Sequence, residues 1–500
     1  MSSFIGIDLG TTFSAISYID ETGRPKIIPN KEGKNTTPSV VAEKDGAVEV
    51  GEYASKTWAI EPDKAAARFK RVMSDKKAKF KLNDKEFSPA QLSSFVLKKL
   101  IQDTKDVIGD IEEVVITIPA NFSNEAREAT MEAGKLADLD VNFIINEPTA
   151  AALYYAFAKD QDLSGYYAVY DLGGGTFDVS IIKVSGKDIE IITSNGIEKC
   201  GGDDFDRALF DLVEKKYEEK TGKKIDQLDF SLNDAEEEKK ALSNREKTIA
   251  KVGSELIEVT REEFIESIEH IILQTELLCE TTIEESNIAI KDIKEVFLSG
   301  GSTRIPKVLE SIKNVFKMDP TSTVNVDEVV ALGASLYAGY KGDRSKLNAA
   351  AKASISKIKI LDVTNKCFGF ISLGMNESKG QVELRNAIII EKGENIPVSI
   401  SEPFFVIRDK QEVIELTITE SVSFEEDPRF VKTIWEGELA LKNPDNVKEG
   451  DEILVTYSYD DNQIMNCKFV YKDGEATEVD LSMTDTDGDS DNEIEGIEIL

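Results

Sequence analysis

Two glycine-rich stretches carry residue types that could bind phosphate. The second, Asp171-Leu172-Gly173-Gly174-Gly175-Thr176-Phe177-Asp178, lies between two apolar runs, at 166–169 and 179–184, that are typical of buried strands. Consecutive glycines let the backbone approach a ligand closely, and successive N–H groups in such a turn form a concavity that binds anions. A carboxylate beside phosphates commonly serves a divalent cation. Taken alone, this stretch is explained equally well by a tight hairpin without a ligand.

The N-terminal stretch repeats the same plan. Asp8-Leu9-Gly10-Thr11-Thr12 follows an apolar run at 4–7 and precedes another at 15–19. Two Asp-Leu-Gly hairpins, roughly 160 residues apart, indicate a duplicated unit. We therefore expect the two turns to face each other across a cleft, with the phosphates of a nucleotide between them and Mg²⁺ held by Asp8 and Asp171.

Alternating strands and helices must position these turns. A β-branched run at 114–118 predicts a strand, and Ser88-Pro89 and Ser123 are typical helix starts. Strands and helices alternate up to about residue 340, which indicates α/β architecture. From 358 to 483 the pattern is all strand with frequent turns, as in a β-sandwich. We predict a nucleotide-binding domain at 1–340, a linker at 341–360, a sandwich domain at 361–483 and an acidic tail at 484–500.

Composition argues against several classes of protein. An apolar content of 41% and a charged content of 31% are ordinary for a soluble globular protein. The net charge of −34 argues against nucleic acid or an anionic membrane surface as the main partner. Four scattered cysteines and one histidine disfavour metal clusters and Ser-His-Asp chemistry. With no signal peptide and no apolar run near the ~20 residues that span a bilayer, a cytoplasmic location is expected.

Several ordered motifs resemble those of one family. The two glycine stretches are joined by Asn146-Glu147-Pro148-Thr149-Ala150-Ala151-Ala152, Gly201-Gly202-Asp203-Asp204-Phe205-Asp206, Gly300-Gly301-Ser302-Thr303-Arg304 and Asp362-Val363-Thr364. Together they resemble the heat-shock protein 70 (DnaK-like) chaperones. The resemblance implies a two-lobed, actin-like ATPase domain followed by a β-sandwich that binds peptides. It also implies an ATP-dependent chaperone that hydrolyses ATP, assists protein folding in the stress response and controls its grip on unfolded polypeptides.

The resemblance assigns a role to individual residues. For catalysis it implies Lys70, Asp8, Glu147, Asp171 and Thr176, with Mg²⁺ and K⁺ as ions, and with Lys70 neutralising charge on the transferred phosphoryl group. For ATP or ADP it implies the glycine-turn residues Gly10, Thr11, Thr12, Phe13, Gly173, Gly174, Gly175, Gly201, Gly202 and Asp203. For the nucleoside it implies Glu236, Lys239, Ser243, Gly300, Gly301, Ser302, Arg304 and Asp327. Glu236, Lys239 and Ser243 also have a spacing that places them on one helix face.

The resemblance implies extended polypeptides, a J-domain co-chaperone and a nucleotide-exchange factor as partners. It also implies that the protein is a monomer and binds neither nucleic acid nor a membrane.

Residues 356–361 depart from the family's acidic and leucine-rich linker, and Phe143 stands where many relatives carry an arginine that meets the J-domain. The family's helical lid is missing, so peptide should exchange fast. Strands within 381–419 would form the cleft. Its floor would come from Ile388, Ile390, Phe404, Val406 and Ile407, although plain sandwich core explains these five residues equally well.

Two rival functions remain open. A non-cycling regulator would bind nucleotide for structure alone and hold one fixed partner; the altered linker and absent lid favour it, and the intact Asp8, Lys70, Glu147, Asp171 and Thr176 oppose it. A small-molecule kinase would need an acceptor site in place of the sandwich, which makes it the weakest of the three. Single-turnover ATP hydrolysis separates the first two.

Overall fold

The computed structural model describes residues 3–499 except 160–162, 187, 227, 322–323, 356–358, 377–379, 442–443, 461, 463, 473–475, 480, 482–496 and 498. The chain divides into two compact units: unit one comprises 1–360 with 486–500, and unit two comprises 361–485. The predicted acidic tail at 484–500 therefore lies almost wholly outside the described residues, as do residues 356–358 of the predicted linker.

The first lobe of unit one is built around a mixed sheet. Its strands are β1 (Ser3–Asp8), β2 (Phe13–Ile19), β3 (Pro25–Ile27), β4 (Thr37–Pro38), β5 (Val40–Lys44), β6 (Ala47–Val50), β7 (Ala65–Ala67), β8 (Phe80–Leu82), β9 (Lys85–Phe87), β10 (Ile111–Ile118) and β11 (Phe143–Asn146). Its helices are α1 (Glu52–Ile60), α2 (Pro89–Thr104), α3 (Asn124–Leu136) and α4 (Glu147–Ala158). The main sheet has the order β11-β10-β1-β2-β3, and β1 pairs antiparallel with β2 and parallel with β10.

The second lobe repeats that local order. Its elements are β12 (Leu163–Leu172), β13 (Phe177–Gly186), β14 (Asp188–Ile197), α5 (Gly202–Thr221), α6 (Leu232–Asn244), β15 (Lys247–Val252), β16 (Glu255–Thr260), α7 (Arg261–Ser286), β17 (Ile293–Ser299) and α8 (Pro306–Phe316). Here β12 pairs antiparallel with β13 and parallel with β17, as β1 does with β2 and β10. Each lobe thus presents one glycine turn at the end of the same kind of hairpin.

Capping residues define the helix starts as predicted. The Ser88 hydroxyl accepts a hydrogen bond from the Gln91 amide at 3.2 Å, while the Ser88 amide donates to Gln91 Oε1 at 2.8 Å. This reciprocal pair satisfies two amides that the first turn of α2 would otherwise leave open. The Ser123 side chain accepts from the Ala126 amide at the start of α3. Both predicted helix starts are confirmed.

Two further helices, α9 (Val329–Lys341) and α10 (Ala349–Ile355), complete unit one. Helix α9 packs closely on α4, because a Cβ on Gly333 would stand only 1.8 Å from the Ala150 carbonyl oxygen. Helix α10 occupies part of the segment predicted as a linker, and its Ile355 is fully buried. The Asn348 side chain beside it donates to the Glu21 carbonyl at 3.1 Å. Residues 344–355 therefore belong to folded unit one.

Unit two is a sandwich of two antiparallel sheets. Strand β18 (Lys359–Val363) begins in the last residues of unit one and ends in unit two. The other strands of unit two are β19 (Cys367–Asn376), β20 (Gln381–Ile390), β21 (Asn395–Ile396), β22 (Val398–Phe405), β23 (Val413–Ser421), β24 (Lys432–Ala440), β25 (Glu452–Tyr459), β26 (Met465–Tyr471) and β27 (Ala476–Val479). The sheets have the orders β20-β19-β23-β24 and β22-β25-β26-β27. The buried Tyr457 hydroxyl links them by donating to the Gly369 carbonyl at 2.9 Å.

The predicted peptide-cleft floor is wrong for two of its five residues. Ile390 and Val406 are buried in the core of the sandwich. Ile388 and Phe404 are half-buried, and Ile407 is exposed. Strict alternation does not apply here, because the register of β20 against β19 shifts between Ile388 and Ile390, and because Val406 and Ile407 lie beyond the end of β22.

Candidate nucleotide-binding site

A cavity of about 440 Å³ in unit one is lined by residues of both lobes. The predicted catalytic residues Asp8, Lys70, Glu147, Asp171 and Thr176 all line it. So do the predicted nucleotide-contacting residues Gly10, Thr11, Thr12, Phe13, Gly173, Gly174, Gly202, Asp203, Glu236, Lys239, Ser243, Gly300, Gly301, Ser302, Arg304 and Asp327. Gly175 and Gly201 stand outside this lining and support the turn from behind, where the Cys200 amide donates to the Gly175 carbonyl at 3.2 Å.

The two glycine turns meet directly. A Cβ on Gly174 would stand 1.8 Å from Thr12 Oγ1, and a Cβ on Gly175 would stand 2.7 Å from Thr11 Cγ2. A side chain at either position would push the turns apart, so glycine is required there by the close approach. The predicted arrangement of two facing turns is confirmed.

The carbonyl groups of Gly173 and Gly174, in the second turn, both accept hydrogen bonds from the start of α5. The Gly202 amide donates to the Gly173 carbonyl at 2.9 Å, and the Asp203 amide donates to the Gly174 carbonyl at 2.7 Å. Within the described residues, the amides of Gly174 and Gly175 have no hydrogen-bond acceptor, and the buried Thr12 hydroxyl has no partner. Free amide and hydroxyl donors at a glycine turn fit an anionic ligand such as a phosphate.

Buried carboxylates surround one buried lysine. Lys70 Nζ lies 2.7 Å from Glu147 Oε1, and both side chains are shielded from water. Burial, followed by the charge of Glu147, raises the pKa of Asp8 to about 7, and burial likewise raises the pKa of Asp178 to about 8. Burial and then Glu147 raise the pKa of Asp171 well above its usual range. Such clustered charge is stabilised by a cation.

The donor set fits a hydrated cation better than a directly ligated one. Among the described residues no group of three His, Cys, Asp or Glu side chains is close enough to hold a metal directly. Mg²⁺ characteristically keeps several waters and binds through one or two carboxylates together with phosphate oxygens. Asp8 and Asp171, the two carboxylates named for Mg²⁺ in the sequence analysis, both line the cavity, and their role as ligands stays a prediction.

Helix α6 contributes three predicted residues to the cavity lining. Glu236, Lys239 and Ser243 all line it from one helix face, as their spacing predicts. The Lys239 ammonium lies 2.7 Å from Asp206 Oδ1 and donates to the Gly202 carbonyl at 3.1 Å. Lys239 thereby ties α6 to the start of α5, next to the second glycine turn.

Four charged residues in or beside the cavity were not among the predicted site residues. Asp206 is buried beside Lys239, and burial raises its pKa to about 7. Arg68 and Arg71 form ion pairs with Asp203 and Asp204 in the opposite lobe. Lys240 lies over the Phe13 ring, 5.5 Å from its centroid. Only Asp206 had a signal, because it belongs to the Gly201–Asp206 motif; the partners of the other three are far away in sequence.

Among the described residues, no helix is both long and apolar enough to cross a membrane. The sequence matches the family model described as Hsp70 protein over residues 4–498. Residues of the two glycine turns and of the motifs at 146–152, 201–206 and 300–304 line the cavity from both lobes. The chain therefore belongs to the Hsp70 family, whose members are ATP-binding, ATP-hydrolysing chaperones of unfolded polypeptides.

Proposed function

We propose that this protein hydrolyses ATP in the cavity of unit one and uses the cycle to control polypeptide binding by unit two. The observation that supports this proposal most strongly is the buried Lys70–Glu147 ion pair, which lies with Asp8, Asp171 and Thr176 in the cavity lining. A lysine is retained among buried carboxylates at a cost in desolvation, and such arrangements cluster at functional sites.

The glycine turns are suited to hold the phosphates. Gly10, Thr11 and Thr12 would bind from the first lobe, and Gly173, Gly174 and Gly175 from the second. The first turn is held in shape by Ser39, whose hydroxyl donates to the Gly10 carbonyl at 2.8 Å. A preformed set of donors binds an anion without a large cost of reorganisation.

Phosphoryl transfer to water needs positioning and charge stabilisation more than covalent chemistry. Lys70 would neutralise charge on the transferred group, and Thr176 would donate to it. Glu147 and Asp171 would orient the attacking water. Asp8 would help to orient it. Mg²⁺ and K⁺ would supply further charge neutralisation when bound, and Asp8 and Asp171 would hold Mg²⁺.

The nucleoside would lie against α6 and the turn after β17. Glu236, Lys239 and Ser243 would contact it from α6, and Gly300, Gly301 and Ser302 from that turn. Arg304 is kept at the rim by an ion pair with Asp327, in which the closest nitrogen and oxygen are 2.8 Å apart. A guanidinium held in this way can stack on a planar base.

Unit two offers an apolar surface for an extended polypeptide. On the β19–β20 hairpin, Leu373 faces Leu384 and Met375 faces Val382. All four side chains are about half exposed or more. Contiguous exposed apolar side chains on a soluble domain commonly mark a binding surface. We place the polypeptide on this four-residue patch, with Ile407 as a further candidate contact.

Single-turnover hydrolysis of radiolabelled ATP tests the proposal. We expect the wild-type protein to release phosphate, and Lys70→Ala to bind ATP but hydrolyse it on the order of 100- to 1,000-fold more slowly. Lys77→Ala, at an exposed lysine of the same lobe, is the matched control and should behave as wild type. ATP binding without hydrolysis by the wild-type protein would contradict the ATPase and favour the regulator.

Fluorescence anisotropy of a labelled leucine-rich heptapeptide tests the second half of the proposal, in which the nucleotide controls polypeptide binding by unit two. We expect the peptide to dissociate faster with ATP than with ADP. Binding that is indifferent to the nucleotide would show that the two activities are uncoupled. A J-domain co-chaperone and an exchange factor, as the family uses, can be added to the same assay.

A further inference from the structure

We propose that Arg68 joins the two lobes through Asp203 and thereby sets how long a nucleotide stays bound. The inference rests on the proposed function, because it concerns the release of that nucleotide. Arg68 belongs to the first lobe and Asp203 to the second, and Asp203 lines the cavity while Arg68 does not. Arg68 would therefore act as a positioning residue, without touching the nucleotide.

The ion pair is short and largely shielded from water. Arg68 Nε lies 2.7 Å from Asp203 Oδ1, and the two side chains are 16% and 3% exposed. Arg71, three residues further on, places its guanidinium 2.9 Å from Asp204 Oδ1 and 3.7 Å from Asp203 Oδ2. Ion pairs with this degree of burial are screened less than surface pairs, so breaking one has a measurable effect.

Asp203 is coupled to the phosphate-binding turn by its backbone. Its amide donates to the Gly174 carbonyl at 2.7 Å, and it stands in the first turn of α5. The neighbouring Gly202 carbonyl accepts from Lys239, which lines the nucleoside side. A displacement of Asp203 would consequently move both the phosphate and nucleoside sides of the pocket in the second lobe.

Arg68 is held in place on its own side of the cleft. Its guanidinium lies over the Trp58 ring, and the central guanidinium carbon, Cζ, is 4.5 Å from the ring centroid. The backbone of Arg68 has a φ of 59°, in the left-handed region, which residues other than glycine and asparagine rarely adopt. The next turn of chain carries Lys70. The segment from 68 to 71 thus combines the catalytic lysine with two cross-lobe arginines.

These contacts predict a specific effect on the rate of nucleotide release. A nucleotide held between two lobes leaves when the lobes separate, and separation must break the Arg68–Asp203 pair. Removing the pair by replacing Arg68 lowers the barrier to separation without removing a side chain that lines the cavity. Truncating one partner of a buried charge pair across an interface acts mainly on the dissociation rate.

Stopped-flow release of a fluorescent ADP analogue, chased with unlabelled ADP, tests the proposal on the full chain. Arg68→Asn is the main variant, because asparagine tolerates the left-handed backbone. We expect its release rate to rise on the order of tenfold or more, and Asp203→Asn to behave alike. The double variant should be no faster than Asp203→Asn, which by itself removes the contacts of Asp203 with both Arg68 and Arg71.

Three further measurements separate this role from a general loss of structure. Added salt should speed release from wild type more than from Arg68→Asn, because only wild type retains the pair. Single-turnover hydrolysis of bound ATP should stay within about twofold of wild type in Arg68→Asn, since the reacting groups are untouched. Lys64→Asn removes an exposed pair with Glu61 in the same lobe and should leave release unchanged.

The outcomes distinguish the two proposals. Equal release rates for wild type and Arg68→Asn, with normal nucleotide binding by both, would overturn the role of Arg68 alone. Failure of the wild-type protein to bind the analogue would overturn the proposed function and this inference with it. If Arg68→Asn does not fold, Arg68→Gln decides, because glutamine removes the charge and keeps most of the length of the side chain. Release at the wild-type rate from Arg68→Gln would then overturn the proposal.

Discussion

Replacing Asp8 with asparagine should stabilise the nucleotide-free protein, and increasingly so as the pH rises. Asp8 is buried, and its pKa is raised from 3.8 to about 7, first by burial and then by the charge of Glu147. A carboxyl with a raised pKa keeps its proton longer in the folded than in the unfolded state. The free energy of unfolding therefore falls as the pH rises between 3.8 and about 7.

The size of the effect follows from that difference. About 3 pKa units at 1.36 kcal/mol each correspond to about 4 kcal/mol of lost stability once Asp8 is fully ionised. Between about pH 6 and about pH 8.5 the ionisation of a group with a pKa near 7 accounts for about a third of it, on the order of 1 kcal/mol. Asparagine has the same shape without the charge and can still accept the hydrogen bond that the Thr117 hydroxyl donates at 3.2 Å.

Urea unfolding at these two pH values, without nucleotide or magnesium, measures the difference. The chain has two tryptophans, Trp58 in unit one and Trp435 in unit two, so a Trp435→Phe background makes the fluorescence report unit one alone. Asp20→Asn is the matched control. Hydrogen bonds from Thr22 and Arg24 lower the pKa of Asp20 despite partial burial, so its replacement should slightly destabilise the protein.

A stability gain of equal size at both pH values would refute the reasoning, because the ionisation of Asp8 would then not be its cause. Loss of stability at the higher pH would refute it as well. Asp8→Asn should also abolish most ATP turnover, since asparagine cannot supply the carboxylate for Mg²⁺. Greater stability with lower activity is the expected signature of a charge kept for function.

Three other predictions concern the turn residues and the sandwich. Thr176→Ala should bind ATP at wild-type affinity but lower single-turnover hydrolysis on the order of tenfold to 100-fold, and unchanged turnover would remove Thr176 from the mechanism. Gly174→Ala should weaken ADP binding in calorimetry and lower the melting temperature, because its Cβ would stand 1.8 Å from Thr12 Oγ1; Gly173→Ala, whose Cβ meets no atom closer than 4.0 Å, should keep the melting temperature. Leu384→Asp should weaken binding of the labelled heptapeptide at least tenfold, whereas Leu277→Asp, at an exposed leucine of α7 in unit one, should not; equal affinity in both would place the peptide elsewhere.

Local patterns were enough to predict the elements that carry the chemistry. Runs of β-branched residues, capping serines and consecutive glycines restrict the backbone through sterics and hydrogen bonds between near neighbours. The hairpins at both glycine turns, the starts of α2 and α3, and the change to strands after residue 358 follow from such short-range effects. The repetition of Asp-Leu-Gly also predicted that the turns at Gly10 and Gly174 would face each other.

Long-range packing decided what those patterns left open. Arg71 and Asp204 are 133 positions apart and pair only because two lobes close on one another. Strict alternation would put Ile390 and Leu384, six positions apart in one strand, on the same face, yet Ile390 is buried and Leu384 is exposed, because the register of β20 against β19 shifts between Ile388 and Ile390. The small, basic composition of residues 342–356 indicated a linker. Part of this segment instead forms helix α10 of unit one, in which Ile355 is buried. The sequence by itself thus determined which chemistry is available, and the tertiary structure decided which charges meet and which apolar side chains remain accessible, since burial and ion pairing depend on residues distant in the chain.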